Sequence, residues 1–68
     1  MENNLENAIE AAYQAEVTKL YGAFFESMLL AEDDAKMIRG AQDRFKASLD
    51  RAAGIHKSAR TIAGLFVL

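Results

Sequence analysis

Apolar residues in the first half of the chain recur at spacings of four and three, at Leu5, Ile9, Tyr13, Val17, Leu20, Phe24 and Met28. This is the period of an α-helix with one buried stripe, and it predicts a helix over about 4–31. The stripe alone covers about 24 residues, or roughly 36 Å at the helical rise. Asn3 or Asn4 is placed to cap its start, and Glu6 and Asn7 fall in the first turn, where free amides favour an acceptor. Towards residue 30 the stripe widens, because Tyr21, Phe25, Leu29 and Leu30 add apolar surface outside the first line. One facing helix does not cover all of that.

The second half repeats the period at Ile38, Ala41, Phe45, Leu49, Ala52, His56, Ala59, Ala63 and Phe66, with Met37, Ser48, Ile55 and Ile62 along one edge. Arg39, Lys46, Asp50 and Lys57 lie opposite. A second amphipathic helix is predicted over about 35–66. Between the two, Glu32, Asp33 and Asp34 form a turn at about 32–34, and Asp33 or Asp34 supplies the cap of the second helix. The turn has no Gly, Pro or Asn, so one continuous helix is the competing reading. The hairpin is preferred because it sets large side chains against small ones. It places Phe24 and Phe25 opposite Gly40 to Gln42, Val17 opposite Leu49, and Tyr13 opposite Ala52 and Ala53.

Gly54 admits two readings. Followed by apolar Ile55 it resembles a helix C-cap leading to a short third helix, yet the apolar period passes through it without a change of phase. Gly22 and Gly40 also sit inside continuing patterns, where close helix contact is the expectation.

Composition narrows how such a hairpin stabilises itself. A chain of 68 residues forms a single small domain, and a fold of that size buries only about 60% of the surface its unfolded chain exposes. There is no cysteine for a disulfide, and one histidine is too few for a structural zinc site, so association with a second copy is the expected aid. The predicted architecture is therefore all-α: a long antiparallel helical hairpin dimerising into a four-helix bundle. No basic region followed by an apolar core begins the sequence, and the apolar end IAGLFVL is far shorter than the roughly 20 residues of a membrane span. A cytoplasmic protein is expected, with no membrane role.

Net charge is −2, but its distribution is uneven. Residues 1–34 carry eight acids and one base, and residues 35–68 carry two acids and seven bases, giving about −7 and +5. Acidic and basic helices side by side favour antiparallel pairing. The effect sets orientation more than stability, since exposed ion pairs contribute little.

Candidate chemistry is sparse. His56 falls in the second apolar stripe with Glu10 across the hairpin, a pair that is either a base, a ligand set or a pH switch, or a polar core or interface histidine satisfied by one hydrogen bond. Glu10, Glu16 and Glu26 lack the Glu-x-x-His pairs of a di-iron bundle, and Glu16 has Arg51 as a candidate partner. No catalytic, metal or cofactor site is assigned, and the protein is read as non-enzymatic. The expected function is that of a small regulator, adaptor or inhibitor acting through protein contacts at Phe25, Leu29, Leu30 and Met37 and at the terminal Ile62 to Leu68 segment, which includes Phe66. The alternative is a nucleic-acid-binding bundle using Arg44, Lys46, Arg51, Lys57 and Arg60 of the second helix.

Overall fold

The computed structural model describes residues 4–66. Two helices, α1 (Asn4–Ala31) and α2 (Ala35–Gly64), run antiparallel and pack along their length as a hairpin measuring 53 × 15 × 10 Å. Among the described residues no helix is long and apolar enough to cross a membrane. The cap considered at Asn3 lies outside the described residues, as do Val67 and Leu68.

The turn forms without glycine because Glu32 takes the left-handed conformation, at φ 49°, that Gly usually fills after a helix C-terminus. The Asp34 amide then donates to the carbonyl of Ala31 at 2.9 Å, which closes the reversal. Asp34, not Asp33, caps α2. Its Oδ1 accepts from the amides of Lys36 and Met37 at 3.0 and 3.1 Å, two of the four donors that a helix start leaves unpaired.

α2 runs unbroken through Gly54, whose φ is not positive, so no third helix follows it among the described residues. The helix gives way at Leu65 and Phe66, whose amides donate to the carbonyls of Ile62 and Ala63 at 3.0 Å. The expectation of close helix contact at the glycines also needs correcting. A methyl group at Gly22 or Gly54 would meet nothing within 4 Å, and at Gly40 it would meet only the far end of the Arg44 side chain.

Two stacked ring pairs set the register. Phe24 lies on Phe45 with centroids 4.5 Å apart, and Tyr13 lies on His56 at 4.1 Å. Both partners in α2 lie nearly one helical turn beyond the expected positions. Helical side chains lean towards their own N-terminus, so in an antiparallel pair the α1 side chain tilts away from the turn and the α2 side chain towards it. The rings that stack are therefore not those whose backbones are level.

Between the helices the buried apolar residues are all small: Ala31, Ala41 and Ala63. Val17, Leu20, Phe24, Met28, Ile38, Phe45 and Leu49 are half-buried, each covered by one neighbouring helix and open on the far side.

Candidate functional site

The hairpin has two open flanks, and each is a candidate site. On the first, Ile9, Ala12, Glu16 and Leu20 of α1 face Ser48, Arg51, Ile55 and Ala59 of α2 across an open groove of about 540 Å³ floored by Tyr13, Ala52 and His56. Leu20 and Ser48 also line the next depression with Ala23, Phe24, Ser27, Arg44 and Phe45. Ser27 and Arg44 in turn continue to a third with Leu30, Lys36, Met37 and Gly40. The shared residues make these one continuous apolar face running to the turn. Ile62 extends it at the open end, because seven positions beyond Ile55 is only about 20° around the helix.

The second flank belongs to α1. Tyr21, Phe25 and Leu29 follow one another at spacings of four, with the Tyr21 and Phe25 rings tilted and 6.3 Å apart. They are 56%, 50% and 63% exposed. Phe25 and Leu30 are five positions apart, about 140° around the helix, so they point to different sides. The six expected contact residues are thus not one patch. Leu30, Met37 and Ile62 belong to the groove face, Phe25 and Leu29 belong to the Tyr21 flank, and Phe66 is exposed beyond the end of α2. The sequence signal that separates them is angular: α1 is apolar on more than one side, whereas α2 is strongly two-faced.

His56 and Glu10 do meet, with Nε2 3.1 Å from a carboxylate oxygen. The imidazole is 14% exposed and the carboxylate 55%. Facing an acceptor, Nε2 is the donor of this contact, and Nδ1 is buried without a hydrogen-bond partner among the described residues. This arrangement holds a ring in place against Tyr13. Among the described residues no three of His, Cys, Asp and Glu gather where a metal ion could sit.

The five basic residues put forward for nucleic acid do not form one stripe. Arg44 and Arg51 border the groove face, seven positions apart. Lys46 points to the other side, where its ammonium donates to Asp50 at 3.0 Å. Lys57 and Arg60 fall on that same side by helical position. Glu16, a surface acid with Arg51 as one candidate partner and solvent as the other, is 60% exposed and meets Lys19 at 3.4 Å, and Arg51 makes no hydrogen bond or ion pair among the described residues.

Compared with protein families, with curated proteins and with solved structures, the chain matches none of them.

Proposed function

We propose that this is a non-enzymatic interaction protein, a small regulator, adaptor or inhibitor that acts by occupying the surface of another protein, and that two hairpins pair into a four-helix bundle. One observation carries the reading: side-chain size and burial are inverted. Alanines fill the buried positions, while Leu30 and Phe66 are 76% and 75% exposed and Ile55 is 62% exposed. Burying one such side chain fully is worth about 1.5–3 kcal/mol, and a lone hairpin leaves most of that unrealised. Exposed apolar surface on this scale marks a contact surface.

The test is native mass across concentration. A dimer or larger assembly that dissociates on dilution is expected, and a strict monomer at high micromolar concentration would remove the basis for pairing. Capture of a partner protein that is lost with Leu29→Ser would then support the adaptor or inhibitor role.

A further inference from the structure

We infer that the groove face seats a second copy of this chain, with α1 of each protomer laid on α2 of the other, both turns at the same end, and Glu16 of each protomer against Arg51 of the other. The inference rests on the pairing reading above and specifies its surface and its orientation.

The area argues for an occupant of that size. The chain exposes 5654 Å², whereas a compact monomer of its 7.5 kDa mass would expose about 4,200 Å². The excess, roughly 1,400 Å² spread over both flanks and the ends of the hairpin, is larger than the roughly 800 Å² per partner of a standard interface. Among the described residues the groove face draws on both helices and extends from the open end to the turn, so it offers a surface as long as the hairpin, whereas the Tyr21, Phe25 and Leu29 flank belongs to α1. A second hairpin is the matching shape. Face-to-face pairing would cover Ile9, Leu20, Leu30, Met37, Ile55 and Ile62 together, converting two half-covered layers into one four-helix core.

Charge selects the orientation. Two hairpins stacked face to face are related by a two-fold axis that runs either along them or across them. An axis across them lays α1 on α1 and α2 on α2, which sets a half-chain of about −7 against its own copy and one of about +5 against its own copy. An axis along them lays acidic α1 on basic α2 at each contact. Glu16 and Arg51 give this choice a specific anchor. They line the same groove at nearly the same level, close to the midpoint of the hairpin, with Glu16 60% exposed and met at 3.4 Å by the exposed Lys19 of its own helix, and Arg51 without a partner among the described residues. Under the first arrangement like charges would meet at that midpoint. Under the second, each carboxylate meets a guanidinium of the other protomer, twice per dimer, an arrangement that rejects wrong orientations more than it adds affinity.

The Tyr21, Phe25 and Leu29 flank stays uncovered in such a dimer. It is then the surface left for a different protein.

Charge exchange between protomers tests this directly. In sedimentation and native mass spectrometry of the full chain, Glu16→Lys and Arg51→Glu should each weaken the dimer by about tenfold or more. An equimolar mixture should recover it as a one-to-one heterodimer. There the lysine introduced by Glu16→Lys faces the glutamate introduced by Arg51→Glu, and the unaltered Glu16 and Arg51 face each other at the second contact. Helix content measured on the same samples should recover with the mass. A mixture no stronger than either variant alone would overturn the orientation. Dimer loss in Phe25→Ser/Leu29→Ser but not in Ile55→Asp would overturn the choice of face while leaving pairing intact. A wild-type monomer at high micromolar concentration would overturn pairing and this inference together.

Discussion

The imidazole of His56 lies flat on the ring of Tyr13, with centroids 4.1 Å apart and planes 9° from parallel. The contact joins α1 to α2 near the open end of the hairpin, where the turn no longer restrains them. Its polar part is lopsided: one nitrogen meets Glu10 and the other has no partner among the described residues. A buried polar nitrogen without a partner costs free energy, so the ring's packing, not its nitrogens, explains its place. His56→Phe should keep the stack and remove the orphaned nitrogen, leaving stability unchanged or raised. His56→Ala should cost about 2 kcal/mol through lost packing. Thermal unfolding of both variants checks this, and a phenylalanine variant as unstable as the alanine one would show that the nitrogens matter.

The turn offers a second comparison. Glu32→Gly should stabilise the hairpin by roughly 1 kcal/mol, because glycine adopts the positive φ there without steric cost. Asp34→Ala should destabilise it by about 1 kcal/mol by freeing two amides of the first turn of α2. Urea unfolding midpoints would read both signs.

Gly22 and Gly54 are helical, and a methyl group would meet nothing at either. Changing each to alanine should therefore add about 0.5–1 kcal/mol of stability. A loss at either position in the assembled protein, with a gain in helix content of the monomer, would place that glycine in a contact with a partner.

Retention of generic duplex DNA or RNA is not expected under the proposed function, since the net charge is −2 and Lys46 is already tied to Asp50. A gel shift at low salt measures this. Retardation abolished by charge reversal at Arg44 and Arg51, yet unaffected by Leu29→Ser, would make nucleic-acid binding the better reading.

Leu29→Ser on the second flank should leave the dimer mass unchanged, because Leu29 lies away from the groove face. Sedimentation checks the outcome, and a shift to monomer would move the pairing surface to the Tyr21 flank.

The periodicity of Leu5 to Met28 and of Ile38 to Ala63 specifies the helical stretches, while the reversal at the three acids between them is preferred over one continuous helix because it sets large side chains against small ones. Local chemistry dictates those features: apolar spacing selects the helix, and an aspartate satisfies the amides at its start. The meeting of His56 with Glu10 was legible for the same reason, since it follows from the turn position alone. The ring pairs were misplaced because matching residues by backbone level ignores the lean of side chains along each helix, which brings Phe24 onto Phe45. Phe25 and Leu30 were pooled because both are extra to one stripe, although about 140° of helix separates them. Nor could the pattern through Gly22 tell a tight contact from open space, since either tolerates glycine.

By itself, then, the sequence determined two amphipathic helical stretches and an excess of apolar positions outside one stripe, which are properties of neighbours along the chain, and it favoured a reversal between them. Tertiary structure decided which side chains meet and into which flanks the excess divides. Those depend on the lean and rotation of one helix against another, quantities that exist only once both helices are in place.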